Sequence, residues 1–477
     1  MVTTSRYDRL LQISPKLAFL LVSLSLGQLG DGLNIFQGIY LVGIGWEEGS
    51  VGLALSLMGL TSLIVQPWAG DWVDKTTVDR RAFLLTASIF TALSASSILL
   101  ITPTSDHMII YATKVVEGIT SSFLQPCLAA LTLACFGPNH FDQVMASNIL
   151  WGHIGSVASA VLAGIVSFVM YPNIKLCFLV IGASALIACF FVQYLPQGDP
   201  RMGRGFAGKA TTSLENEADE QSQILVKRVG SNESDETTTS TEADSDTNDD
   251  IPEAASYWDV LADRRSLILC FTGFFFHSAN ANVLLVLGEM MGKGGDGGSS
   301  RHAIPLTAGN IVTAQVTMAI ATYVGDRLTK SGMGRKPLFL AGIASLPLRC
   351  ALIILFKDAG ATALMSTQIL DGVAGGLMGL VQPYLIADIT FGTGRFNVLN
   401  GLIASFFGMG ATLSNYVGQM VVQKFDHVTS LTASLFISLI PVVLFMFMPE
   451  TMGMRTSNPL SPRRSSQPDR SLYGSFE

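Results

Sequence analysis

Apolar runs of about twenty residues alternate with short polar turns along almost the whole chain, and about twenty residues is what a helix needs to cross a bilayer. The pattern predicts twelve runs, at 17–40, 49–70, 82–101, 107–134, 144–170, 174–195, 265–288, 303–325, 337–356, 361–388, 397–422 and 428–448. Lipid offers no partners to backbone amides, so spanning elements are helices or a closed barrel. These runs are too long and too uniformly apolar for barrel strands. The expected fold class is an all-α polytopic membrane protein, with twelve transmembrane helices in two six-helix bundles.

A polar stretch at 197–258, containing "SNESDETTTSTEADSDTNDD", separates the two sets of runs. Few apolar groups and many like charges leave it nothing to fold around. The expected organisation is an N-terminal bundle over 1–196, an acidic disordered linker over 197–258, a C-terminal bundle over 259–452 and a tail over 453–477. Basic residues orient it. Of 29 Lys and Arg, 22 fall on the side of the linker and both termini, five fall on the other, and Lys114 and Arg349 lie within runs. Such an excess marks the cytoplasmic face. Both termini are therefore expected in the cytoplasm of an integral, multi-pass membrane protein.

The two sets repeat one another. "GDWVDKTTVDRR" begins at Gly70 and "GDRLTKSGMGRK" begins 255 residues later at Gly325. "FGPNHF" at Phe136 has its counterpart "FGTGRF" at Phe391, and Gly155 falls opposite Gly410, both at the same offset. "EGITSSFLQPCLAALT" from Glu117 is echoed from Asp371. Repeated halves in a membrane chain suggest two bundles facing one another across a central cavity.

With these motifs the chain resembles the major facilitator superfamily, over nearly all its length except the linker and tails. The family's signature between its second and third helices has the form Gly-x-x-x-Asp-Arg/Lys-x-Gly-Arg-Arg. Gly70, Asp74 and Lys75 match its first part, and Arg80 and Arg81 its basic end; the second Gly is absent. In the second copy Asp326 and Arg327 take the acidic and basic positions, and Gly334, Arg335 and Lys336 close the motif. An alignment led by Gly325 and Lys330 competes with this one. "KVVEG" in the fourth run resembles the Arg-x-x-Gln-Gly of proton-coupled exporters, with Lys114, Glu117 and Gly118 in those places. Lys and Glu change that chemistry, since a Lys can lose its proton and an Arg does not.

Asp74 is expected either to accept hydrogen bonds from helix-terminal amides or to pair with a basic residue across the bundle interface. Either contact would hold one side shut. Arg80 and Arg81 are also placed to meet anionic headgroups.

Polar groups inside spans usually face a cavity or a partner. Asp31, Asn34 and Gln37 recur at three-residue steps and share one helix face. Lys114 and Glu117 lie one turn apart and can pair; Lys114 can instead meet Asp31. Asp31 and Glu117 lead as proton carriers. Asn148, His153, Asn280, Gln315 and Asp371 complete the candidate pathway, each with helix packing as its alternative. Asp371 echoes Glu117, but Gln368 or Ile369 stands opposite Lys114. The second half is therefore expected to lack a basic partner, with Arg349 nearer an interface.

Composition excludes other classes. Six cysteines in or beside apolar runs read as packed thiols. No His, Cys and carboxylate cluster has metal spacing, and no complete phosphate-binding loop occurs. The net charge of −7 gives no reason for nucleic-acid binding. The expectation is a cofactor-free secondary carrier, not an enzyme, acting as a monomer among membrane lipids. It would move a small polar or amphipathic solute by alternating access, with proton antiport and export as the specific form. An organic-anion uniporter or importer, and a non-transporting sensor or scaffold, are the alternatives.

Overall fold

The computed structural model describes residues 13–26, 36–37, 40–41, 44, 46, 48–76, 78–102, 107–171, 173–206, 254–292 and 303–455. Asp31, Asn34, most of the acidic linker and the tail beyond 455 lie outside the described residues. The described elements are helical. The first half has α1 (Pro15–Leu26), α2 (Glu48–Lys75), α3 (Arg80–Ser97) and a continuous run His107–Val169. That run spans 63 residues but breaks at Gly137, whose φ of 69° and ψ of 171° are not helical. Pro138 follows and cannot donate to the preceding turn. We label the two arms α4 (107–136) and α5 (138–169). The half closes with α6 (Phe178–Val192).

The second half has α7 (Tyr257–Ala262), α8 (Arg264–Gly292), α9 (Ala303–Lys330), α10 (Arg335–Leu355), α11 (Ala361–Ser366), α12 (Gln368–Thr390), α13 (Phe396–Lys424) and α14 (His427–Met446). Among the described residues eight helical stretches are long and apolar enough to cross a membrane, counting His107–Val169 as one and joining α11 to α12. Eight is fewer than the twelve runs expected. The difference arises because Gly137 leaves two runs in one helical stretch, and because α1, α2 and α9 are not among the eight.

Glycine contacts repeat between the halves. A Cβ on Gly155 of α5 would overlap the Leu24 carbonyl of α1, and one on Gly410 of α13 would overlap the Phe274 carbonyl of α8. On Gly118 of α4 it would come 2.6 Å from the Met58 carbonyl of α2; on Gly372 of α12 it would come 2.6 Å from the Ala314 carbonyl of α9. Small residues let helix backbones approach where lipid supplies no hydrophobic drive.

The most extensive helix contacts between the halves are those of α2 with α13 and of α5 with α9. The largest buried cluster is centred on α8, α10, α12 and α13, and it takes in Ala129, Ala130, Leu133, Phe141, Met145 and Ala146 from α4 and α5. Phe141 and Phe396, last residues of the two repeated Phe-Gly turns, meet edge to face with ring centroids 5.9 Å apart. All six cysteines are free thiols; Cys135 is partly buried and the others are buried.

The linker was expected to be structureless from 197 to 258, and both of its ends depart from that. Residues 197–206 include a short 3-10 turn, Met202–Arg204. Gly205 accepts a hydrogen bond from the Gly392 amide, and the Ala255 amide donates to the Thr393 carbonyl. Backbone pairing to the turn after α12 orders these ends despite their polar composition.

Candidate functional site

The halves are closed against each other at the end that carries the loop motifs. Asp74, in the last turn of α2, is 1% exposed. It accepts hydrogen bonds from the Asn397 amide at 3.3 Å, the Asn397 side chain at 2.7 Å and the Val398 amide at 2.9 Å. These amides open α13, where the first turn has no intrahelical acceptors and the helix dipole is positive. Gly70, one turn earlier, lets the α13 backbone come so near that a Cβ would overlap the Asn397 carbonyl. Gly401 does the same against Gln66.

Around this contact lie charged groups that sequence reading did not single out. Asp71 pairs with Lys75 at 2.7 Å on its own helix and with Arg395 of the second half at 2.6 Å. On the facing edge Asp142 of α5 pairs with Arg335 and, at 2.6 Å, with Arg455. Both arginines also reach Asp388 of α12, Arg335 at 3.1 Å. The Tyr384 hydroxyl donates to the Asp142 carbonyl at 2.7 Å. One visible signal was the repeat offset, which places Asp142 opposite Asn397.

The two loop motifs do different work. Asp326 pairs with Lys330 at 2.6 Å, as Asp71 does with Lys75. Its structural counterpart is therefore Asp71, and the position of Asp74 is held by Thr329. Arg327 donates to the Tyr323 hydroxyl and lies over its ring. The alignment led by Gly325 and Lys330 is the one the contacts follow. At the basic ends, Arg81 donates to the Leu195 carbonyl at 2.8 Å and Lys336 to the Met446 carbonyl at 2.7 Å. Each cation thus meets a backbone carbonyl, at the last residue of α14 for Lys336 and three residues past α6 for Arg81. Arg80 is buried and donates to the Pro200 carbonyl at 3.5 Å.

Glu450 accepts from the amides of Arg335 (2.8 Å) and Lys336 (3.1 Å), at the start of α10, and from Thr451 and Met452. Partial burial pushes its carboxyl up, yet these amides outweigh it and hold the group below its ordinary value.

Deeper in the helices, Lys114 Nζ lies 3.0 Å from Glu117, with side chains 2% and 3% exposed. Ser94 of α3 donates to the same carboxylate oxygen at 3.4 Å. The second half holds a matching pair, and this corrects the expectation that Asp371 has no cation. Arg349 of α10 meets Asp371 at 2.6 Å, Asn280 of α8 at 2.7 Å and Gln368 at 3.1 Å. At the 255-residue offset Arg349 stands opposite Ser94, and at the 254-residue offset that relates Glu117 to Asp371, Gln368 stands opposite Lys114. The cation has moved from the fourth helix of one half to the third helix of the other.

The remaining candidates are dispersed. His153 Nδ1 lies 2.7 Å from Gln315 Oε1, joining α5 to α9 across the halves. Asn148 donates to Thr132 at 3.1 Å between α4 and α5 and is 2% exposed. Gln37 is 3% exposed, and among the described residues its Oε1 has no hydrogen-bond partner. Among the described residues no group of three or more His, Cys, Asp or Glu is placed to hold a metal ion.

Long apolar helices with charge pairs in their interior, joined at one end by polar contacts between repeated halves, define an integral multi-pass membrane protein of the transporter kind. Comparison with known proteins names the family. The profile of the Major Facilitator Superfamily matches residues 18–304, and the chain belongs to that superfamily. Two uncharacterized MFS-type transporters, from two strains of Mycobacterium tuberculosis, are each 29% identical to it over 408 residues, covering 84% of this chain and 85% of theirs. Among solved structures, the MFS proton:xylose symporter XylE, bound to 6-bromo-6-deoxy-D-glucose, superposes with a TM-score of 0.66. It covers 92% of this chain and 96% of its own at 13% identity, a likeness of fold. The chain is thus a secondary transporter of the MFS type.

Proposed function

We propose that the protein carries a small polar or amphipathic solute across its membrane by alternating access, coupled to protons. Twelve crossings follow when the eight long apolar stretches are joined by the second arm of His107–Val169 and by α1, α2 and α9. They form two six-helix bundles, with 207–253 as the acidic linker between them and both termini in the cytoplasm. The loop-motif end is then the cytoplasmic gate, and the structure is the state closed on that side.

The observation that carries this reading is the nature of the contact between the halves at that end. It is built from hydrogen bonds and ion pairs at Asp74, Asp71, Asp142 and their partners rather than from secondary structure shared by both halves. Such contacts can break and re-form as one bundle rocks against the other. Glu117 and Asp371, each held by a cation inside the helices, are the groups assigned to coupling. Efflux rests on the resemblance of Lys114, Glu117 and Gly118 to the exporters' motif.

A panel of solutes in proteoliposomes, with and without an imposed pH gradient, tests the proposal. Solute flux that responds to the gradient is the expected result. Binding without flux across the panel would defeat it.

A further inference from the structure

The two buried charge pairs occupy equivalent places in the repeat, but they are not equally sealed. The Glu117 side chain is 3% exposed, with its Oε2 shared between Lys114 and Ser94. The Asp371 side chain is 17% exposed, although Arg349 beside it is 1% exposed. Arg349 and Asn280 both bind Asp371 through Oδ1. Among the described residues, nothing donates to its Oδ2. Two buried donors of the same cluster, Arg349 Nε and Gln368 Nε2, also carry no hydrogen bond. A cluster with a partly exposed carboxylate side chain and unused donors is incomplete by the usual accounting of buried polar groups.

We propose that Asp371, held in position by Arg349 and Asn280, is the carboxylate through which the second half meets the solute, accepting a hydrogen bond from a hydroxyl or amine on its Oδ2. Glu117 is the closed counterpart in this state. The arrangement suits such a role physically. A guanidinium with two further fixed partners holds the carboxylate in one orientation, and the second oxygen is left for a ligand. Lys114 offers Glu117 a single rotatable point charge instead. The identity of the solute rests on the transporter reading; the accessibility of Asp371 does not.

The test uses the intact wild-type protein. Purified protein is treated with a water-soluble carbodiimide and an isotopically tagged amine, or with the lipid-soluble dicyclohexylcarbodiimide, and peptides bearing Asp371 and Glu117 are quantified by mass spectrometry. The expected result is tagging of Asp371 by the water-soluble reagent at least tenfold above Glu117. Modification of Asp371 by the lipid-soluble reagent alone would mean that it faces lipid, and would overturn the proposal. So would equal tagging of the two residues, or none at Asp371. In flux assays with the solute found in the panel, Asp371→Asn is expected to raise KM at least tenfold with a smaller change in maximal rate. An unchanged KM would remove Asp371 from the solute site while leaving the transporter reading intact.

Discussion

Phe141 and Phe396 are equivalents in the two repeats, 255 residues apart, and they touch each other edge to face. Equivalent residues of the two repeats thus meet each other at the end that carries the loop motifs. Asp142 and Asn397 come directly after them, and each is bound by the opposite half. Arg335 and Arg455 hold Asp142; Asp74 holds Asn397. The repeat supplies equivalent positions, and unlike residues at those positions give two different locks.

Asp74→Ala leaves the first amides of α13 buried without acceptors. Each orphaned donor costs about 1–3 kcal/mol. The expected outcome is a lower melting temperature in detergent and solute flux reduced at least tenfold, with membrane abundance retained. Normal flux at normal abundance would take Asp74 out of the gate.

Gly70→Val and Gly401→Val place side chains where α2 and α13 are in backbone contact. Both should push the motif ends of these helices apart. Spin labels on the two helices, read by pulsed dipolar spectroscopy, should show a longer distance population than in the parent protein. An unchanged distribution would mean that the close approach is not what holds this side shut.

Asp71 and Arg395 form a pair between the halves that is only partly buried. Arg395→Asp brings two carboxylates together and should weaken closure. The exchange Asp71→Arg with Arg395→Asp should restore most of the lost flux, by about 0.5–3 kcal/mol of coupling if the two residues act on each other. A double variant no better than the worse single one would show that the pair is incidental.

Lys114→Gln strands Glu117 without its cation, and breaking a buried pair in this way costs about 3–5 kcal/mol. Because Arg349 serves Asp371 from the position that Ser94 holds in the first half, Ser94→Arg added to Lys114→Gln should recover much of the thermal stability. If the double variant melts no higher than Lys114→Gln, the two sites are not interchangeable in their geometry.

Orientation has its own test. Asn232 heads an Asn-Glu-Ser acceptor sequence within the acidic segment. In a cell with the glycosylation machinery it should stay unmodified, since the segment is placed on the cytoplasmic side. A glycan there, seen as a mass shift removed by endoglycosidase, would invert the topology.

Pattern and composition were enough to read this chain as helical, membrane-spanning, repeated in two halves and similar to one transporter family. The reason is local. A lipid environment demands long apolar helices, charge avoids the bilayer, and a duplicated plan repeats its turns in order. For Asp74 the sequence left two partners open, helix-terminal amides or a basic residue across the interface, and the fold pairs it with the amides of Asn397 and Val398.

Tertiary structure decided which partners were chosen across 22 to 324 residues of chain. It gave Asp371 its cation from α10 instead of α12, matched Asp326 with Asp71 instead of Asp74, and brought Arg455 from beyond α14 to Asp142 and Asp388. Spacing along one helix shows which side chains share its face. It does not show which neighbouring helix presents a charge to that face, because helix packing sets that choice.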